Sequence, residues 1–165
     1  MNLSYEDLVM LKEYAAMYGR DDRIVAVEQA IINSQNANAA VNFARMLDVA
    51  DLDALMPIFK YENGSILILN FASICGERGH DIKPLQDIIT SYSDPSMIYK
   101  FAMIKGADVK ALQDKLIELE AYDSLFRLAK NNSRADISAI EDFLDRKSTR
   151  LNSSHLPPSR MPSSA

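Results

Sequence analysis

The sequence predicts an all-α fold, a right-handed α-solenoid of about five helix pairs with a period of about 28 residues. One observation is a repeated pair of neighbours, an aromatic residue or leucine followed by alanine, at intervals of 27 to 30 residues. A second is an aspartate that follows each pair and opens an apolar run. A fixed period of this size is typical of one structural unit copied in tandem. The repeated pairs are Phe43 and Ala44, Phe71 and Ala72, Phe101 and Ala102, and Leu128 and Ala129, and the aspartates are Asp51, Asp81, Asp108 and Asp136.

The first unit is the least regular copy. Ser4 precedes an apolar-periodic run that predicts a first helix. Tyr14 stands where the later units have phenylalanine, and Asp22 is placed to begin the second helix, one residue earlier than the repeat spacing requires. We therefore expect a fifth, degenerate helix pair ahead of the four regular ones.

The second unit carries a proline inside its second predicted helix. If Asp51 is the N-cap, Pro57 falls in the helix interior, where proline removes a backbone N–H donor and clashes with the preceding turn. If Asp53 is the N-cap instead, Pro57 falls near the end of the first turn, where the cost is smaller. We expect a kinked or late-starting helix here.

The fourth unit shows the helix pair most clearly. Asp94 is a favourable N-cap, and Pro95 suits the first helical position. Phe101 lies on the apolar stripe of this helix, and Gly106 provides a natural stop. Asp108 then begins the second helix. Second helices of the same kind are predicted at residues 81–89 and 136–144.

Short helices of this kind depend on one another. A helix of about ten residues is marginal alone, so each pair must bury its apolar faces against neighbouring pairs. In period and helix pairing, residues 1–144 resemble the helical solenoids of the HEAT and armadillo type, with shorter units and without the motif of a named family. The resemblance implies one stacked domain over residues 1–144. We expect its last helix to be cut short, which leaves an apolar, association-prone C-terminal end.

Residues 145–165 are expected to lie outside this domain. Residues 145–155 and 159–165 match the translation of a high-throughput sequencing adapter residue for residue, with a short variable stretch between them. The segment has no apolar periodicity and is rich in serine, proline and arginine. It therefore resembles a non-native, adapter-derived tail, and we expect it to be disordered.

The charge balance excludes several classes of partner. The chain has a formal net charge of −5, and its basic tail masks a more acidic remainder. A nucleic-acid-binding protein needs clustered lysine and arginine, and an acidic surface is repelled by anionic lipids. No apolar run reaches the roughly 18 residues of a membrane span. The single cysteine fits a reducing compartment. We expect a cytoplasmic protein that binds neither nucleic acid nor membrane.

The longest loop between predicted helices, residues 75–81, is the best candidate for chemistry. It contains Cys75, Glu77, Arg78 and His80. Cysteine with histidine suits a thiolate nucleophile and its base, or half of a zinc site. Cys75 equally suits a small buried core residue, and two ligands fall short of the three or four that zinc takes. We therefore expect no catalytic residue, metal or cofactor, and we keep these four residues as a candidate functional loop.

The repeated aspartates favour structure over chemistry. The four that open the second helices lie on successive layers about 10 Å apart, too far apart to share a metal ion, and N-capping explains each of them. A second column consists of Asp87, Asp114 and Asp142. These side chains suit a solvated helix face, or alternatively a ridge that faces a basic partner.

Taken together, these patterns favour a non-catalytic scaffold for interaction with a protein or peptide, as a fragment of a larger protein. The partner is unknown, and a basic one is a candidate. One alternative is an enzyme, or an accessory region of an enzyme, that uses the loop at residues 75–81. Another is a structural spacer between domains. A fold of this class does not itself decide between them.

Overall fold

The computed structural model describes residues 1–62 and 66–154, with side chains as far as residue 149. Within these ranges the chain is all-α, with no strand. None of the described helices combines the length and the apolar character that a membrane crossing requires. The α-helices are α1 (Tyr5–Tyr18), α2 (Asp22–Ser34), α3 (Ala37–Met46), α4 (Leu52–Leu55), α5 (Ile66–Glu77), α6 (Lys83–Tyr92), α7 (Pro95–Ala102), α8 (Val109–Glu118), α9 (Tyr122–Asn131) and α10 (Ile137–Ser154), and a 3₁₀ helix spans Met56–Tyr61.

The first helices of the predicted pairs form a contiguous row, which consists of α1, α3, α5, α7 and α9. Helix α3 packs against α1 and α5, and α7 packs against α5 and α9. The repeated apolar side chains lie inside this row, where Phe43, Phe71, Phe101 and Leu128 are fully buried. The alanines after the three phenylalanines are also fully buried, which fits close approach between neighbouring helices.

The second helices lie beside this row, and three of them begin at the predicted aspartates, Asp51, Asp108 and Asp136. The carboxylate oxygen of Asp51 accepts the backbone N–H of Ala54 at 3.0 Å. Asp108 and Asp136 accept the N–H three residues further on, each at 3.1 Å. These bonds satisfy N–H groups that a helix leaves without intrahelical partners.

Two predicted caps are displaced. Asp21, and not Asp22, is the N-cap of α2, and its carboxylate accepts the backbone N–H groups of Arg23 and Ile24. At the third unit, α6 begins at Lys83, so Asp81 lies outside the N-cap position. The Asp81 carboxylate nevertheless accepts the N–H of Lys83 at 2.9 Å. A carboxylate can satisfy the first free donors from either position, which explains why sequence spacing alone misplaced the boundary.

The helix after Asp51 changes type where proline occurs. Asp51, and not Asp53, is the N-cap of the four-residue α4, and the chain then continues as the 3₁₀ helix Met56–Tyr61. Pro57 lies in the first turn of this 3₁₀ helix, where its missing N–H removes no helical hydrogen bond. The kink expected at this point is therefore a change from α to 3₁₀ geometry.

Helix α10 extends further than the sequence predicts. It continues through residue 154, whereas disorder was expected from residue 145 onward. Lys147 contacts the body of the protein, since its Nζ forms a salt bridge with Glu120 at 3.1 Å and lies 5.9 Å from the centroid of the Tyr122 ring. A helix that has already nucleated extends at little cost through lysine and arginine, which are good helix formers. Residues 155–165 lie outside the described ranges.

Candidate functional site

Buried amide side chains join consecutive second helices, a feature that the sequence analysis missed. Gln113 on α8 accepts the backbone N–H of Asp136 at 2.9 Å through Oε1 and donates to its carbonyl oxygen at 3.1 Å. Gln86 on α6 accepts the N–H of Asp108 at 2.9 Å. Both glutamines are buried. Each one therefore fixes the start of the next second helix, because a buried backbone group must find a partner.

Glutamate takes the place of glutamine in the first unit. Glu28 is buried on α2, and its Oε2 accepts the N–H of Asp51 at 2.8 Å. Arg20 neutralises this carboxylate through two hydrogen bonds, at 2.5 and 3.0 Å. Arg20 also donates to the carbonyl oxygen of Val49 at 3.1 Å. The buried charge is thus paired and hydrogen-bonded, as a carboxylate in the core requires.

Within the candidate loop, Cys75 belongs to the core. It lies in α5 and its side chain is fully buried. Burial raises the pKa of the Cys75 thiol to about 12. A nucleophilic cysteine needs the opposite environment, one that favours the thiolate. Of the two interpretations of Cys75, the structure thus supports a small core residue over a nucleophile.

We predict that the native protein resists thiol reagents at pH 8. Both the folded and unfolded pKa values lie above this pH, and the raised pKa of folded Cys75 leaves far less thiolate than in the unfolded chain. Reaction with a chromogenic disulfide reagent should be at least about 100-fold slower in buffer than in guanidinium chloride. Absorbance of the released thiol provides the measurement, with Cys75→Ser as the blank. Rapid stoichiometric reaction of the folded chain would contradict this placement.

Arg78 connects two helices of the row. Its guanidinium donates to the carbonyl oxygens of Ala44 and Leu47 at 2.6 and 3.2 Å, at the C-terminal end of α3. It also forms a salt bridge with Asp48 at 3.2 Å. Arg134 repeats this arrangement at the end of α7, where it donates to the carbonyl oxygen of Ala102 at 3.3 Å, and it also donates to that of Ala107 at 3.1 Å. Free carbonyl groups and the negative end of the helix dipole favour a cation at these positions.

The remaining loop residues do not converge on a common point. The Nδ1 atom of His80 lies 3.5 Å from Oδ1 of Asp53, an exposed carboxylate on α4. Glu77 is exposed at the end of α5. In the part of the chain that the structure describes, no group of three or more His, Cys, Asp or Glu side chains could hold a metal ion. The described side chains of the loop thus have separate surroundings, with Cys75 in the core, Arg78 against the end of α3 and His80 beside Asp53.

Two of the three aspartates in the second column form salt bridges with lysines on their own helices. Asp87 pairs with Lys83 at 2.8 Å, and Asp114 pairs with Lys110 at 3.6 Å. Both pairs are exposed and have the spacing of neighbours on one helix face. This arrangement fits the solvated helix face that was one of the two interpretations of this column.

An open groove of about 530 Å³ lies between the N-terminal ends of α7 and α9. Two contacts fix its walls: the Ser124 hydroxyl donates to the carbonyl oxygen of Pro95 at 3.3 Å, and the Asn131 amide donates to the Tyr99 hydroxyl at 3.1 Å. The sequence could not predict the groove, because its width depends on the separation of two helices that are distant along the chain. The residues that line it include Ser96, Tyr99, Tyr122, Asp123, Ser124 and Arg127.

The groove combines aromatic surface with one cation, Arg127, and two carboxylates, Asp94 and Asp123. Tyr99 and Tyr122 are half-buried, and aromatic side chains of this kind are favoured at binding surfaces. The hydroxyl of Tyr99 accepts the Asn131 amide, whereas the hydroxyl of Tyr122 is buried and its ring stacks on Phe143 at a centroid distance of 5.6 Å. Arg127 is exposed and forms no ion pair with any side chain that the structure describes. Its guanidinium is suited to a carboxylate or a main-chain carbonyl.

Comparison with protein-family models, with curated proteins and with solved structures gave no match.

Proposed function

We propose that this chain is a helical-repeat scaffold that binds a protein or peptide through the groove between α7 and α9. The groove carries the proposal because it is concave, and because it combines two tyrosines with an arginine that has no ion-pair partner in the described chain. Binding sites on proteins are commonly concave and lined by aromatic surface with a few directed polar groups.

The architecture that we propose for this scaffold is a right-handed α-solenoid of five helix pairs. Support comes from the contacts within the row, where each helix packs against the next in the order α1, α3, α5, α7 and α9. The glutamine bonds from α6 to the start of α8, and from α8 to the start of α10, add a second set of links between neighbouring pairs. In such arrays each unit contacts mainly its neighbours, which leaves long surfaces free for partners.

The partner that suits the groove is a peptide segment with an acidic side chain between apolar residues. Arg127 provides the charge for that carboxylate, and Tyr99 and Tyr122 provide the apolar walls. Asp94, at the rim, is already engaged, because it accepts the backbone N–H of Ser96 at 3.0 Å as the N-cap of α7. This preference differs from the basic partner considered for the second aspartate column.

Peptide selection tests the proposal directly. A random peptide library is displayed on phage and selected on the immobilised full chain, and the enriched peptides are measured by fluorescence polarisation. We expect peptides that share an acidic residue, with binding about tenfold weaker for Arg127→Ala, which corresponds to about 1.4 kcal/mol.

Lys130→Ala is the matched control. Lys130 is an exposed cation on the same helix but does not line the groove, so its loss should leave affinity unchanged. Failure to enrich any peptide, or equal affinity for Arg127→Ala and the unmodified chain, would overturn the proposal.

A further inference from the structure

We propose that the protein bends at a hinge between its second and third units, because the buried link that joins the other second helices is missing there. One block consists of α1 to α4 with the 3₁₀ helix, and the other block consists of α5 to α10. This inference concerns the second helices and does not depend on the groove between α7 and α9.

Three junctions between consecutive second helices carry the same buried link. In each, a side-chain oxygen accepts the backbone N–H of the aspartate at the start of the next second helix. Glu28 binds Asp51 at 2.8 Å, Gln86 binds Asp108 at 2.9 Å, and Gln113 binds Asp136 at 2.9 Å. The three side chains that accept these bonds are buried. A hydrogen bond is directional, so each link constrains the angle between two neighbouring units.

The junction between the second and third units lacks this link. Met56 occupies the position of Gln86 and Gln113, five residues after the repeated aspartate of its unit. A thioether is only a weak hydrogen-bond acceptor. Accordingly, the N–H of Asp81 forms no hydrogen bond with any group that the structure describes. The start of α6 is therefore not tied to the preceding second helix in the way that α8 and α10 are.

The contacts found at this junction constrain its angle less. An open groove of about 400 Å³ lies between the 3₁₀ helix and α6. Its walls are mainly apolar and include Met56, Pro57, Pro84 and Ile88. Just before α6, Nδ1 of His80 lies 3.5 Å from Oδ1 of Asp53, whose side chain is 77% exposed. Apolar contacts are non-directional and an exposed ion pair contributes little stability, so the two helices can change their angle at small cost.

The second helix also changes type at the same place. Helix α4 ends at Leu55, and the chain continues from Met56 as the 3₁₀ helix. The second helices of the other units are continuous α-helices. Because 3₁₀ hydrogen bonds have poorer geometry than α-helical ones, a 3₁₀ stretch inside a helix often marks a hinge.

The contacts of α5 with the second unit provide the pivot. Arg78, just after α5, donates to the carbonyl oxygens of Ala44 and Leu47 at 2.6 and 3.2 Å. Phe59 of the 3₁₀ helix stacks on Phe71 of α5 with ring centroids 4.3 Å apart, and both side chains are fully buried. These contacts hold the two blocks together on one side, so bending opens or closes the groove between the 3₁₀ helix and α6. Hinge motion of this kind would change the curvature of the row.

Amide exchange of the full chain, followed by NMR, tests the missing link. The N–H groups of Asp51, Asp108 and Asp136 should be protected, whereas that of Asp81 should exchange at the rate of an unstructured chain. Met56→Gln provides the absent amide and should slow exchange of the Asp81 N–H at least about fivefold, the effect of one net hydrogen bond. Met56→Leu is the matched control, because it keeps the apolar contact without an acceptor, and it should leave this rate unchanged.

Electron–electron distances between spin labels test the bending itself. Labelled cysteines replace Ala26 and Ala111, which are exposed on α2 and α8 on either side of the hinge, in a Cys75→Ala background. Their distance distribution should be broad, and Met56→Gln but not Met56→Leu should narrow it. A second pair, at Ala111 and Ser138 of α10, spans an intact junction and should give a narrow distribution in every variant.

Circular dichroism of each labelled variant verifies that it is folded. A protected Asp81 N–H in the unmodified chain would show that the link is not missing. A narrow distribution across the hinge, or equal effects of Met56→Gln and Met56→Leu, would overturn the proposal that its absence lets the two blocks bend.

Discussion

Replacement of Gly76 by alanine is expected to lower the free energy of unfolding by about 3 kcal/mol, the upper end of the usual cost of overpacking. Gly76 is buried in α5, where it faces the chain that follows α7. A Cβ atom at this position would lie well inside 3.0 Å of the backbone carbonyl oxygen of Lys105. Because that oxygen belongs to the backbone, it cannot move aside as a flexible side chain would. Two helices of the row must separate instead.

The effect is unusual because alanine normally stabilises a helix relative to glycine, by about 1 kcal/mol. Ser73→Ala provides the control on the same helix, since Ser73 is exposed and its replacement adds no atoms to a packed surface. Urea unfolding followed by circular dichroism gives both free energies. A Gly76→Ala variant as stable as the unmodified chain would show that α5 and the segment after α7 are less closely packed than described.

The sequence predicted those parts of the fold that depend on local, repeated chemistry. Burial of Phe43, Phe71 and Phe101 follows from their helical spacing beside alanine. The caps at Asp51, Asp108 and Asp136 follow from the need to satisfy the first N–H groups of each helix. At Asp21 and Asp81 the spacing failed, because a carboxylate can reach these groups from more than one position.

Features that depend on distant contacts were not predicted. The sequence does contain a signal for the buried glutamines, since Gln86 and Gln113 each stand between a leucine and an aspartate of the second column. It was the neighbouring glutamines that hold the units together, and only the fold shows that they point inward.

In the candidate loop, residues that are close along the chain have partners in different parts of the fold. Arg78 stands near Cys75 and His80 along the chain, but its partners are carbonyl oxygens more than 30 residues away on α3. Cys75 lies inside the core. Proximity along the chain therefore did not predict which side chains lie close together. The groove between α7 and α9 could not be predicted either, because the residues that line it are close in the fold but distant along the chain.

In the first unit, Glu28 paired with Arg20 takes the place of the buried glutamine. Arg20→Met is expected to lower the free energy of unfolding by about 3 kcal/mol, because it leaves the buried carboxylate of Glu28 without its counter-ion. Glu28 would keep only the hydrogen bond from the backbone N–H of Asp51. The fall should be measured by urea unfolding, with Arg45→Met, an exposed arginine on α3, as the control.

Addition of Glu28→Gln to Arg20→Met should recover most of this loss. The double variant restores the chemistry of Gln86 and Gln113, in which a neutral amide binds the backbone of the next unit without a charged neighbour. The bond from Arg20 to the Val49 carbonyl oxygen stays lost in both variants, so recovery should be incomplete. A double-mutant cycle isolates the coupling between the two residues. If the double variant is no more stable than Arg20→Met alone, the buried charge is not the origin of the loss, and the equivalence of Glu28 with the two glutamines fails with it.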